Sequence, residues 1–184
     1  LVTMRWFNDV WTKEVFANFM AAKIINPQFS SINHDLNFLL RHHPRAYAID
    51  RSAGANAIRQ PLANLNEAGN LYGPIIYNKA PIMMRQLELL MGKKVFKEGI
   101  QEYIRSYENG NAVWNDLVKI LDKNTEADVE QWSTVWVNSA SRPIFDELIT
   151  YDANDNIASF EIRQHAEDNS KHVWPQTFDI ALLY

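Results

Sequence analysis

The stretch Leu1-Val2-Thr3-Met4-Arg5-Trp6-Phe7-Asn8-Asp9-Val10-Trp11-Thr12-Lys13-Glu14-Val15-Phe16-Ala17 decides how the rest of the chain is read. Asn8 or Asp9 suits a helix N-cap, because a short side-chain oxygen can accept from the unpaired N–H groups of the first turn. Beyond them Val10, Trp11, Val15, Phe16, Phe19, Met20 and Ile24 recur close to the three- and four-residue steps of one helix face. Asn26-Pro27 stops the pattern. Glu14 sits on this helix beside Lys13. A lone helix glutamate is ordinarily a solvated surface residue. Around it stand Trp6, Phe7, Trp11 and Phe16, whose packing can hold a helix carboxylate in fixed geometry.

Working outward, a second helix is expected at about 33–42. From His43-Pro44 to Gly69 the chain is rich in Pro, Asn and Gly with little periodicity, which predicts a long ordered loop. Helices follow at about 77–91, closed by Gly92, and at about 94–107, 112–122 and 127–138. Asn109-Gly110-Asn111 reads as a turn, and Thr125-x-x-Asp128 has the form of a capping box. After Ser141-Arg142-Pro143 the period changes to two. Three short strands are expected: Leu148 to Tyr151, Ile157 to Arg163 beyond the turn Asp152 to Asn156, and Thr177 to Tyr184. The fold class is thus mainly α over 1–142, followed by a few antiparallel strands over 143–184. Three strands leave an open sheet edge, and Leu1-Val2 reads as the inside of a fold, so both ends are expected to be cut.

Composition narrows the function classes. The chain has 184 residues, with 18 Lys and Arg against 22 Asp and Glu, and 47% of its residues are hydrophobic, which is globular rather than disordered. Its net charge of -4 argues against a nucleic-acid binder or a polybasic membrane binder. No apolar run approaches the ~18 residues of a membrane span. Without cysteine there is no disulfide, thiolate metal site or cysteine nucleophile. His34, His42, His43, His165 and His172 include no H-x-x-x-H pair, and spacing alone reveals no metal site.

The opening stretch resembles the segment L-V-T-x-x-W-W-N-D-x-W-L-N-E-G-F-A of the aminopeptidase N-like gluzincins, the zinc peptidase family M1. In that family this segment follows the H-E-x-x-H helix. Some sixty residues on, Leu71-Tyr72-Gly73-Pro74-Ile75-Ile76-Tyr77-Asn78-Lys79-Ala80-Pro81 is similar to the family's I-x-Y-x-K-G-A segment, before Met83-Met84-Arg85-Gln86-Leu87. Further along, Tyr107 to Leu117 is similar to Y-x-x-G-N-A-x-x-x-D-L. Trp132, Trp136, Pro143 and Ile144 resemble the junction into a β-sandwich domain.

This resemblance implies the C-terminal helical half of a thermolysin-like catalytic domain over 1–142, and the start of a truncated β-sandwich over 143–184. It implies that Glu14 is the third zinc ligand and that Tyr77 donates to the oxyanion of the tetrahedral intermediate. A phenol suits that task as a neutral donor at pH 7. Peptides are the implied substrates. The H-E-x-x-H helix and the amine-binding G-x-M-E-N strand are expected before residue 1, so the missing N-terminal part of the catalytic domain is an implied partner. Zinc is expected in the complete enzyme and not in this chain, which alone should be inactive. Lys13 and Val15 depart from the family's Asn and Gly, and Ala80-Pro81 from its Gly-Ala. Two other classes make different demands. A helical interaction module would expose Trp6, Trp11, Trp114, Trp132 and Trp136, and a sugar-binding β-module would concentrate aromatics in 145–184.

Overall fold

The computed structural model describes residues 1–181. Strand β1 (Thr3–Met4) leads into helix α1 (Val10–Ile25), which buries Val10, Trp11 and Val15. Asp9 stands at the N-cap position of α1, but its carboxylate does not cap. It turns inward, accepting from Arg59 Nε at 2.5 Å and from the backbone N–H of Trp114 at 3.2 Å. A buried carboxylate must be paired, and the guanidinium outcompetes a first-turn N–H.

Helix α2 corrects the expected boundary at residue 42, because it runs from His34 to Asp50 straight through Pro44. Asn33 caps it, accepting from the N–H of Leu36 at 2.9 Å. Pro44 withholds the donor that the carbonyl of Leu40 would use, but Leu40 is exposed, on the face where water can serve that carbonyl. The last turn is held by buried Ala46 and Asp50. The expected long loop therefore shrinks to residues 51–64, where Ile58 and Leu62 reach the core, and a 3₁₀ segment, Leu65–Leu71, follows.

A π-helical turn, Ile75–Lys79, runs directly into α3 (Ala80–Met91). Gly92, at φ 80°, ends α3 and starts α4 (Lys93–Ser106). A Cβ on Gly99 would come within 2.5 Å of Leu121 Cδ2, so glycine there lets α4 lie close against α5 (Trp114–Asp122). Strand β2 (Asn111–Ala112) pairs in parallel with β1 through Thr3↔Asn111 and Met4↔Ala112. Helix α6 (Val129–Trp136) is capped by Asp128, which accepts from the N–H of Gln131 at 2.7 Å. The expected capping box is thus corrected: Asp128 is the cap itself, and Thr125 Oγ1 only accepts from Ala127 in the preceding turn.

The remaining sheet is a two-stranded antiparallel hairpin, β3 (Pro143–Tyr151) with β4 (Ile157–Ala166), in register from Pro143↔Ala166 and irregular at Thr150/Tyr151. The expected third strand is absent over 177–181, and the rest of that stretch lies outside the described residues. Just before it, the side chain of Gln164 takes both the N–H and the carbonyl of Trp174, so these groups are unavailable to a ladder. The core contains Trp11, Trp114, Trp132, Phe96, Leu87 and Leu121. No helix among the described residues is long and apolar enough to cross a membrane.

Candidate functional site

Glu14 lies in the second turn of α1, between the inward-facing Trp11 and Val15, with its side chain 23% exposed. The ring of Trp11 meets that of Trp114 edge-on at 4.7 Å, which fixes the rotation of α1 about its axis. Glu14 Oε1 is 3.1 Å from Lys13 Nζ. The carboxylate thus leaves the core at one edge, on a helix that cannot easily roll.

Tyr77 is held from both sides by buried neighbours. Of the five residues of the π turn it alone is not buried, at 41% exposure, whereas Ile75, Ile76, Asn78 and Lys79 point inward. Lys79 Nζ lies 2.8 Å from Asp50 Oδ2 and donates to the carbonyl of Ser141 at 3.2 Å. Burial pushes the Asp50 carboxyl above its usual range, although the charge of Lys79 pulls it the other way. A π turn widens the helix by one residue, and such turns recur at functional sites because they re-aim a side chain. Here the turn presents one phenol to solvent from an otherwise buried segment.

The structure brings Glu14, Lys13, Tyr72 and Tyr77 into one electrostatic neighbourhood. The rings of Tyr72 and Tyr77 stack at 6.3 Å with 26° between their planes. Partial burial raises the pKa of the Tyr77 phenol above its ordinary value, the negative charge of Glu14 and then Tyr72 raise it further, and Lys13 opposes them. At pH 7 that phenol is a neutral hydrogen-bond donor.

The chemistry available is that of one carboxylate and one phenol. Among the described residues no group of three or more His, Cys, Asp or Glu side chains converges as a metal site. His34 contacts the carbonyl of Phe29, His165 pairs with Asp146, and His172 packs edge-on against Trp174, all apart from Glu14. The described residues by themselves therefore do not make up a zinc site, and Glu14 offers one carboxylate toward one.

Sequence reasoning missed the supports of Tyr77. Lys79 stood in the quoted motif without a role, although a lysine inside the apolar run from Ile75 to Met84 signals a buried ion pair. His42 carries no spacing signal in the sequence, yet its Nδ1 lies 3.2 Å from the carbonyl of Tyr77. No spacing rule reveals that contact, because it joins α2 to the π turn across 35 residues.

The peptidase family M1 domain model matches residues 1–136. The chain is 29% identical over 168 residues to an aminopeptidase N of Streptomyces lividans, covering 90% of this chain and 20% of that protein. It is 27% identical over 171 residues to a puromycin-sensitive aminopeptidase of Caenorhabditis elegans, covering 93% and 18%. A leucyl aminopeptidase of Saccharolobus solfataricus is 28% identical over 144 residues, covering 78% and 18%. The chain spans about a fifth of the length of these curated relatives.

Proposed function

The chain belongs to peptidase family M1, and from that premise we propose that it is the Glu14- and Tyr77-bearing part of a zinc aminopeptidase. Residues 1–142 form the C-terminal helical half of a thermolysin-like catalytic domain, and residues 143–184 begin a β-sandwich domain. The complete enzyme removes N-terminal residues from peptides. Glu14 supplies one anionic ligand to a zinc whose remaining ligands come from an H-E-x-x-H helix elsewhere in the polypeptide. When bound, zinc supplies Lewis-acid and water-activating chemistry. Tyr77 donates its hydroxyl hydrogen to the oxygen of the scissile carbonyl as negative charge gathers there. The isolated chain is inactive, since it brings neither a general base nor a full ligand set.

The observation that carries this reading is a solvent-facing Tyr77 that alone leaves an otherwise buried π turn, with its ring stacked on Tyr72. Tyr77→Phe in the complete enzyme removes only the hydroxyl. Turnover of an aminoacyl anilide should fall by roughly 10²–10³ with KM little changed, the scale for losing one oxyanion donor. An unchanged turnover number would make Tyr77 a packing residue. The interaction-module reading needs an aromatic surface, but Trp11, Trp114, Trp132 and Trp136 are all buried in the core and only Trp6 is exposed. On the hairpin side Trp174 is buried, whereas Phe145, Tyr151 and Phe160 are exposed.

A further inference from the structure

We propose that His42 is a positioning residue for Tyr77, replacing a backbone hydrogen bond that Pro81 cannot make. The inference rests on the reading of Tyr77 as the oxyanion donor. In a continuous α-helix the carbonyl of Tyr77 would accept from the N–H of residue 81. Residue 81 is proline, buried at the start of α3, and has no N–H to give. With no α-type donor at residue 81, that carbonyl has a lone pair open to a side-chain donor.

The imidazole of His42 stands there, with Nδ1 3.2 Å from the Tyr77 oxygen. A carbonyl oxygen only accepts, so Nδ1 carries the hydrogen and the ring is the donor. The amide of Asn78 therefore cannot donate to that nitrogen, 3.5 Å away, and instead donates to the carbonyl of Arg41 at 3.4 Å. Two consecutive residues of the π turn are thus tied to the same turn of α2. The His42 ring is itself held, packed on Phe38 with centroids 4.5 Å apart, and the guanidinium of Arg85 in α3 lies 4.7 Å from the centroid of that same Phe38 ring. Burial, with the charges of Arg41 and His43, keeps His42 below its ordinary pKa, so it is neutral at pH 7. Both neutral and protonated rings can donate from Nδ1, so the tie survives mild acid. It fixes the backbone that carries the phenol, and a small displacement of a group aimed at a developing charge is costly in rate.

The test uses the complete aminopeptidase and an aminoacyl anilide. His42→Phe keeps the ring on Phe38 and removes the donor, and kcat should fall about tenfold with KM within about twofold. His42→Asn puts an amide N–H near the place of Nδ1 and should recover most of that loss. Pro81→Ala returns an N–H to residue 81 and should relieve the defect of His42→Phe in the double variant. Because His42 acts through the phenol, Tyr77→Phe with His42→Phe should be no slower than Tyr77→Phe alone. Normal turnover in His42→Phe, when Tyr77→Phe is slow, overturns the positioning role and leaves the Tyr77 reading standing. Additive losses in the double variant, or no relief by Pro81→Ala, also overturn it. Normal turnover in Tyr77→Phe removes the premise itself. Should His42→Phe not fold, the Asn variant and the Pro81→Ala variant in its background still decide the matter: a slow, folded His42→Asn that Pro81→Ala does not relieve overturns the proposal.

Discussion

The helices build a core from their apolar residues and the hairpin does not. Between Val10 and Val137 one set of side chains, Trp11, Leu87, Trp114 and Trp132 among them, converges on a core, although Ile24, Ile25, Leu36, Leu39 and Leu40 at the end of α1 and along α2 stay exposed, whereas in β3 and β4 only Ala166 is buried. Phe145, Leu148, Tyr151, Ile157 and Phe160 all remain exposed along the hairpin. A helical stripe can be satisfied by its neighbours, but two strands have two faces and cannot cover either alone. The hairpin is therefore held at one end only. Arg142 forks onto Glu167 at 2.7 and 2.9 Å, Trp174 donates to the carbonyl of Val135 at 3.1 Å, and Trp136 donates to that of Pro175 at 2.8 Å.

The contrast breaks most severely at Lys79. This lysine joins the end of α2, the π turn and the start of the 141–143 junction, and both partners of its ion pair are buried. Lys79→Ala leaves the Asp50 carboxylate uncompensated in the interior and should cost about 3–5 kcal/mol. Chemical denaturation of the 184-residue chain measures it. A cost below about 1 kcal/mol would mean that water reaches Asp50 and that helices and junction are not locked together.

Trp174→Ala should come next, at about 3 kcal/mol, the lower part of the range for truncating a buried tryptophan because the site lies at the rim of the core. Its effect should be local. Limited proteolysis should cut within 143–181 while the helices stay protected, since the ring is the hairpin's main anchor. Equal protection of hairpin and helices in the variant would show that the two regions are one cooperative unit.

A smaller, pH-dependent effect belongs to the helical side. Burial lowers the pKa of His42 and His43, helped by Arg41 and His43 at the first and by Arg85 at the second, and opposed at the first by its bond to Tyr77. The unfolded chain takes up these protons near pH 6.5 while the folded one resists them. Their contribution to stability is therefore complete above about pH 6.5 and is lost as the pH falls below it. Thermal melts at pH 7.5 and 5.5 should show this loss, and it should shrink in a His42→Asn, His43→Gln double variant. Glu167 and Asp168, whose pKa values are lowered by bonds to Arg142 and Ser170, act only at lower pH. A loss of the same size in the double variant would place its source elsewhere.

These particulars also mark what the sequence could tell. The helices from α3 to α6 were legible because their apolar spacing and their stops, Gly92 above all, are local. The end of α2 was not, because a proline that breaks an isolated helix is tolerated once Ala46 and Asp50 dock the next turn. The third strand misled for a related reason: alternation after Pro175 is a local signal, while the side chain of Gln164 decides where the backbone before it bonds. At the site, Glu14 and Tyr77 could be picked out because each sits in a quotable motif. The parts that hold Tyr77, namely His42, Asp50 and the π turn, are joined only by folding.

The smallest expected effect separates site from scaffold most sharply. In the isolated chain the partner of Glu14 is Lys13, itself exposed, and such pairs contribute little. Glu14→Gln should thus change stability by no more than about 1 kcal/mol, and elemental analysis should find no stoichiometric zinc in either form. On the proposed role of Glu14, the same substitution in the complete enzyme would exchange an anionic zinc ligand for a weak neutral one. Zinc affinity and activity should drop together there, with partial recovery in excess metal. Thermal melts of both proteins with and without chelator provide the comparison: the substitution should matter to the complete, metal-loaded enzyme and hardly at all in the other three conditions. Equal shifts in all four would mean that Glu14 serves the fold and not the metal.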